Sequence, residues 1–302
     1  MNKKSIMFLS NVTCIDHAYI DQDGYIIGGS FNPNITVSGK IDDVENVVVD
    51  FSTIKKDIKA LIDDKETGFD HKLWIIYGVS NYSVRYSENM THIYVTTPIF
   101  NVTLPINAVK FFNAASYADS SGLEDYLLYN LAQKYPITNL IVDYDTRMDS
   151  PVNINTELHT FRYTHGLKNS TSWGCQNIVH GHLSYLAGIC NWDKQIEANA
   201  LLQQIAVYLD KRMFVWKENA YFNEVKYSTP RGNFKLLSSP EIEFHKTVYM
   251  ENETTIENIV EYIANKFKAE LEKAGIHFLY ISEGLNKGAV IAINPFVKEN
   301  NA

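Results

Sequence analysis

Hydrophobic and polar residues follow two rhythms along this chain, and the order of the rhythms comes twice. In the first half, Ile54, Ile58, Leu61 and Ile62 recur at i, i+4, i+7 and i+8. That spacing gathers them on one face of a helix over 51–62, which Ser52 or Asp50 can cap. A second helix is predicted over 122–132 and a strand over 139–145. Residues 13–39 read as an opening hairpin, with Asp23-Gly24 and Gly28-Gly29 as turn or bulge signals. The second half repeats this plan. Residues 161–188 read as a hairpin, 196–209 and 256–267 as helices, and 277–283 and 288–293 as closing strands. The stripe Ile256, Ile259, Val260, Ile263 and Phe267 is a core-packing pattern, not a cofactor box. Strands with intervening helices in each half predict an α+β fold.

Length agrees with the repetition. A chain of 302 residues accommodates two domains of about 150 residues, here 1–152 and 153–302. Hydrophobic content of 45% with 21% charged residues describes a globular protein. A net charge of −8 argues against a general nucleic-acid partner. No apolar run reaches the ~18 residues of a membrane span. The start, Met1 to Asn11, mimics a signal peptide, but its apolar part is short and Asn11 breaks it. Three cysteines, Cys14, Cys175 and Cys190, make no disulfide framework, so a reducing cytoplasm is expected.

The chemistry concentrates at Cys175-Gln-Asn-Ile-Val-His180-Gly-His182, with His165 ten residues before the cysteine. Two histidines two apart on a strand point to one face, and Gly181 keeps the opposite face open. His165 can reach the same point from a paired strand. A lone His-x-His is as often two ordinary histidines, and a lone cysteine is usually a small buried hydrophobe. Three neutral imidazoles with an open fourth position, however, are the usual form of a catalytic zinc (Zn2+) site, and a nearby thiol adds a base or nucleophile.

The element Tyr-Thr-His165-Gly-Leu followed by Cys175-x4-His180-Gly-His182 resembles the signature of the 6-pyruvoyl-tetrahydropterin synthase and 6-carboxy-tetrahydropterin synthase family. Val47-Val-Val-Asp50-Phe51 with Phe69-Asp70-His71 resembles its Val-x-Asp-Phe and Leu-Asp-His blocks. Thr254-Thr255-Ile-Glu257-Asn258 resembles its Pro-Thr-x-Glu-Asn helix start, with Thr254 in place of proline, and Leu279-Tyr-Ile-Ser-Glu283 its late strand. In single-unit members the metal motif precedes Asp-His, whereas here Asp70-His71 comes about a hundred residues earlier. A diverged tandem duplication accounts for that order.

The resemblance implies two tunnelling-fold units, each an antiparallel four-stranded sheet with two helices on one face, assembling into barrels. It implies metal ligands His165, His180 and His182, catalytic residues Cys175, Asp70 and His71, and pterin contacts from Glu283 and Thr255. Laid over each other by eye, the halves put Phe31 and Pro33 opposite His180 and His182, and His17 opposite His165. They also put Lys211 opposite His71, and Asp145 or Tyr144 opposite Glu283. One half thus keeps zinc and cysteine and the other keeps Asp-His, the two meeting across an interface. The implied activity is a zinc-dependent lyase acting on 7,8-dihydroneopterin triphosphate. A 6-carboxy-tetrahydropterin product, on the route to 7-deazaguanines, is the first expectation for so microbial-looking a sequence. A 6-pyruvoyl product is the second, and an inactive pterin-binding protein is the alternative of another class. The four residues between Cys175 and His180 lie between the spacings of the two subfamilies. Gly166 replaces the usual basic residue after the first histidine, leaving Lys72, Lys211, Arg212 or Arg231 as candidate phosphate contacts. The expected partners are a pterin triphosphate and further copies of the chain, a trimer before a dimer.

Overall fold

The computed structural model describes residues 4–44, 46–79, 81–148, 154–238 and 246–293. The expected boundary between 152 and 153 lies outside them. The first half runs β1 (Lys4–Leu9), β2 (Ile15–Ile20), β3 (Ile26–Lys40), α1 (Phe51–Ile62) and β4 (Lys72–Ile76). An excursion follows through β5 (Ser83–Tyr86), β6 (His92–Thr96) and β7 (Phe100–Pro105). The chain returns as β8 (Val109–Phe112), α2 (Ser121–Leu131) and β9 (Ile137–Asp145). The second half runs β10 (His159–His165), β11 (His180–Cys190), α3 (Gln195–Leu209) and β12 (Arg212–Trp216). Its excursion is β13 (Ala220–Tyr221), β14 (Glu224–Thr229) and β15 (Gly232–Ser238). It ends with β16 (Thr247–Met250), α4 (Ile256–Lys266), α5 (Lys268–Lys273), β17 (Ile276–Ser282) and β18 (Gly288–Ala292).

The helices form where the apolar stripes placed them. Asp50 caps α1 by accepting from the Thr53 amide at 2.9 Å, and Ile54, Ile58 and Ile62 are its buried face. These residues share one core with Leu123, Leu127 and Leu131 of α2, so both helices cover the same side of the first sheet. In the second half α3, α4 and α5 pack likewise on one core.

The two main sheets share a pairing plan. The first contains β8-β4-β2-β3-β9 in that order, with β1 also on β3, and the second runs β16-β12-β10-β11-β17-β18. The expected four antiparallel strands are found in the second half as β10, β11, β17 and β18. The expectation of four strands is too small. β12 joins β10 in parallel, and β16 joins β12 in parallel. A crossover through β11 and α3 lets β12 run in the direction of β10, which a tight hairpin cannot do. β4 and β8 repeat that parallel edge beside β2. The first sheet differs at its other edge: β9 has no further strand beyond it among the described residues.

The excursions of both halves merge into a third sheet, β13-β14-β15-β7-β6-β5, joined where β15 pairs with β7. Its apolar side closes a core with Leu73 and Ile75 of the first sheet and Met213 and Val215 of the second. The main sheets meet with the helices outward. Gly28 is not a turn residue as expected but lies inside β3, opposite Ala18. A Cβ on Gly28 would stand 2.1 Å from the Tyr163 carbonyl oxygen and 2.3 Å from the His182 nitrogen. A Cβ on Gly181 would stand 2.7 Å from Gly28 Cα. Backbone therefore lies on backbone at the junction of the halves.

A Gly28→Ala substitution is accordingly expected to destabilise the protein by about 3 kcal/mol or more, since the obstacle is main chain and cannot rotate away. Urea unfolding measures this directly. A loss below about 0.5 kcal/mol, the level of an ordinary surface change, would contradict the close approach.

Candidate metal centre and active site

His165 ends β10, and His180 and His182 begin β11. In the antiparallel register His165 faces His180 and Tyr163 faces His182. Alternation then brings all three imidazoles to one place, where each is fully buried. Nε2 of His165 lies 3.1 Å from Nε2 of His182, and one ring nitrogen from each of the three lies within 4.8 Å of the others. The opposite ring nitrogens are held in place. Nδ1 of His165 is 2.6 Å from the Thr254 carbonyl and Nδ1 of His180 is 2.8 Å from the Asn177 carbonyl. Nδ1 of His182 lies 3.1 Å from Asp16 Oδ1, an ion-pair distance.

Burial pushes the His165 imidazole down to about 3 and the His180 imidazole well below its ordinary value, with neighbouring imidazoles adding to both. These rings are neutral donors. Nε2 of His180 is buried with no hydrogen-bond partner among the described residues. Neutral imidazoles fixed through the far nitrogen, one with an orphaned inward nitrogen, fit a cation such as zinc. Asp16 is buried, which raises its carboxyl, yet the adjacent His182 and the Lys287 ammonium at 3.2 Å hold it well below its usual range. Ser30 donates to the same carboxylate at 2.5 Å. Asp16 and Ser30 come from the first half and support a ligand from the second.

Asp70 and His71 enter on the turn between α1 and β4. Asp70 Oδ1 accepts from the Asp16 amide at 2.9 Å, and the His71 amide donates to the Asp16 carbonyl. His71 has φ +54°. The second half repeats the clasp: Asp210 accepts from the Arg162 amide at 2.9 Å, the Lys211 amide donates to the Arg162 carbonyl, and Lys211 has φ +62°. The expected pairing of Lys211 with His71 is thus seen in backbone geometry. Their side chains diverge. Lys211 Nζ pairs with Asp21 at 2.8 Å, whereas His71 Nδ1 meets Asp70 at 2.6 Å and Nε2 lies 3.7 Å from Cys175 Sγ.

Cys175 sits on the loop between β10 and β11, with Sγ also 3.4 Å from the Ser172 hydroxyl. Arg231 clamps this loop to the His71 turn. It donates to the carbonyls of Trp173, Gly174, His71 and Asn107 at 2.8–3.2 Å. Asn177 Nδ2 donates to the His71 and Ala108 carbonyls, both at 3.1 Å. Burial lowers the His71 imidazole, but Asp70 outweighs it and holds the ring well above its ordinary value. Burial raises the Cys175 thiol, but the His71 hydrogen bond and charge bring it below its ordinary value. Thiol and imidazole thus form a contact pair in which each favours the other's charged form, beside the histidine cluster, the His71 and His180 rings being 5.0 Å apart.

Glu283 follows β17, with Oε1 3.8 Å from His165 Nε2 and Oε2 3.6 Å from Lys287 Nζ. Thr255 stands apart from the cluster. Its hydroxyl caps α4 by accepting from the Asn258 amide, while the preceding Thr254 carbonyl holds His165. Three of the candidate phosphate contacts are already engaged. Lys72 is buried on the carbonyls of Lys65 and Glu66, Lys211 is paired and Arg231 is the loop clamp. The fourth, Arg212, donates to the Tyr208 carbonyl. Cys14, outside every motif, donates its thiol to Asp16 Oδ1 at 3.8 Å.

Strand register corrects the correspondence between halves. His17 faces Gly29 and Lys72 as Tyr163 faces His182 and Arg212, so His17 matches Tyr163, not His165. The positions matching His165, His180 and His182 are Tyr19, Ile27 and Gly29. Phe31 and Pro33 lie four residues further along. The overlay by eye sets Gly39 against Gly188, whereas the register matches Gly188 with Ile35. Through the pairs Pro33–Tyr144 and Leu186–Ile281, Glu283 matches Thr146, not Asp145 or Tyr144.

No protein-family model matches the chain, and no curated protein matches it. Among solved structures it is similar to a catalytic-residue mutant of Plasmodium vivax 6-pyruvoyltetrahydropterin synthase, at 12% identity and TM-score 0.36 over 47% of this chain and 90% of that one. It is also similar to another crystal structure of the Plasmodium vivax enzyme, at 10% identity and TM-score 0.26 over 96% of this chain and 98% of that one.

Two outcomes are expected from this geometry. Peptide-resolved alkylation by iodoacetamide across pH should give Cys175 an apparent pKa below that of a free thiol. His71→Ala should move it upward, because burial then acts without the imidazolium; an unmoved profile would refute the pair. Elemental analysis should find about one zinc per chain, since Tyr19, Ile27 and Gly29 offer no imidazole, and His180→Ala/His182→Ala should remove it. Two equivalents would contradict the assignment.

Proposed function

We propose that this chain is a zinc-dependent lyase of the tetrahydropterin synthase family, formed by a diverged tandem duplication. Its substrate is 7,8-dihydroneopterin triphosphate and its product 6-carboxy-5,6,7,8-tetrahydropterin. One observation carries the reading: His71 Nε2 of the first half lies 3.7 Å from Cys175 Sγ of the second, beside three converging histidines. Family motifs that are a hundred residues apart in sequence meet within a single chain.

His165, His180 and His182 would hold zinc, which as a Lewis acid makes substrate hydroxyls and their neighbouring C–H bonds more acidic. Cys175 Sγ, as thiolate, takes the proton from the side-chain carbon. His71 Nε2–H stabilises that thiolate and is the proton available for return, while Asp70 keeps the ring oriented and charged. Glu283 accepts two hydrogen bonds from the guanidine-like edge of the pterin, displacing its contact with Lys287. Asp16 positions His182. The electron pair left on the first side-chain carbon reduces the dihydropterin ring to the tetrahydro level, and carbanion character next to the phosphate-bearing carbon expels triphosphate. For the 6-carboxy product water then adds, and the bond between the first and second side-chain carbons breaks. The first carbon is kept as the carboxylate and the other two leave as acetaldehyde. Arg231 and Asn177 keep thiol and imidazole at working distance.

The chain acts in the cytoplasm as a homo-oligomer, most simply a trimer. Ile6 and Phe8 on the edge strand β1 are 71% and 77% exposed and support a partner there.

Incubation with dihydroneopterin triphosphate and mass spectrometry of the products test the activity and separate a 6-carboxy from a 6-pyruvoyl product. Absence of turnover by the zinc-loaded chain would refute the reading. Cys175→Ala should retain zinc and lower kcat by about 10²–10⁴. His71→Ala should also lower kcat although it lies in the half without metal. Mixing the two variant chains should restore nothing, because the contact is within one chain; recovery would place it between chains.

A further inference from the structure

The register that matches the halves also pairs the histidine site with a second cavity. This cavity, of about 440 Å³, lies between the halves and is bordered by Tyr19, Gly29, Thr146 and Arg162. These residues stand where His165, His182, Glu283 and Asp16 stand at the metal centre. Every group that favours a cation there has a replacement here. The imidazoles of His165, His180 and His182 become the phenol of Tyr19, the side chain of Ile27, which does not border the cavity, and Gly29; one carboxylate becomes a hydroxyl and the other a guanidinium.

The new lining has its own chemistry. Phe31 and Tyr144 stack with centroids 3.8 Å apart, and Tyr19 and Tyr117 lie 4.6 Å apart at 31°. Both pairs border the cavity. Arg162 is half-buried, and its side chain makes no hydrogen bond or ion pair among the described residues; only its backbone joins the Asp210 clasp. No carboxylate side chain lines the cavity among the described residues. His17 borders it with Nδ1 buried and unpartnered. The volume suits a bicyclic ring system.

We propose that this cavity is a second binding site, specific for a planar aromatic carboxylate whose ring lies among the aromatic side chains and whose acid group meets Arg162. A single guanidinium fork matches a carboxylate in shape and charge, whereas a phosphate dianion calls for further cations that the lining lacks. The inference stands apart from the pterin reading, because it uses only the cavity and its residues.

Calorimetric titration of the full chain with 2-naphthoate tests it, with 2-naphthamide as the neutral isostere. The acid should bind saturably at one per chain, and the amide should bind at least about tenfold more weakly. Arg162→Gln should weaken the acid by a similar factor, and Arg162→Lys should recover part of the loss. Binding should survive chelator treatment, which separates this cavity from the histidine site. If Arg162→Gln does not fold, the comparison of acid with amide on the unaltered chain still decides. Failure of 2-naphthoate to saturate at millimolar concentration, equal affinity for acid and amide, or loss of binding on chelation would each overturn the proposal.

Discussion

The bare backbone contact between β3 and the strands that carry the histidines is the constraint from which the rest follows. At Gly28 and Gly181 the two sheets approach until a single methyl group would collide with main chain. Only that approach lets Asp16, at the strand end beside Gly29-Ser30, lie 3.1 Å from His182. It also brings the turn at His71 under the Cys175 loop. Side chains at the junction would have kept the halves about a layer apart, as in ordinary sheet packing near 10 Å. The site exists because two glycines remove that layer.

Burying Asp16 has a cost that the surroundings answer in kind. A carboxylate taken out of water is stable only with compensating charge and hydrogen bonds. Here His182, Lys287 and Ser30 supply them, and the Asp16 backbone is itself held by Asp70 and His71. The same short segment therefore orients His182 through its side chain and the His71 turn through its main chain. The histidine cluster and the Cys175–His71 contact are tied together through one residue.

Some of this was readable in the sequence and some was not, for physical reasons. The stripe of α1 and its Asp50 cap follow from local periodicity, which needs no tertiary information. The convergence of His180 and His182 follows from strand alternation, and the meeting of His71 with Cys175 from the displaced order of motifs. The third sheet was missed because its strands are short, so that the alternation at Ile93 and Val95 or at Val225 and Tyr227 spans only two buried positions in each. Arg231 stood only as one of four candidate phosphate contacts, each more commonly a solvated surface charge, because nothing local distinguishes a buried guanidinium clamp from a surface charge. Asp16 went unnoticed because its role is set by the packing of one half on the other. The correspondence of halves slipped by four residues because two glycines were matched by residue type, whereas strand pairing fixes which positions correspond.

The repeated clasp shows which part of the site is older in the structural sense, that is, required by the fold whether or not chemistry follows. Both Asp70-His71 and Asp210-Lys211 hold a residue in the left-handed region and tie it to the first strand of its sheet with the same two hydrogen bonds. A non-glycine residue there costs about 1 kcal/mol or more, and both halves retain it. The clasp is thus a device for joining the parallel edge strand to the hairpin. The side chain after the aspartate is free of that duty, since only its backbone is used. One half can place an imidazole there against a thiol, and the other a lysine against Asp21. The halves therefore differ in side-chain chemistry at this position with no change in the backbone that supports it. That is why a cluster of three histidines and a counterpart without imidazoles at those positions can face each other across the same pair of glycines.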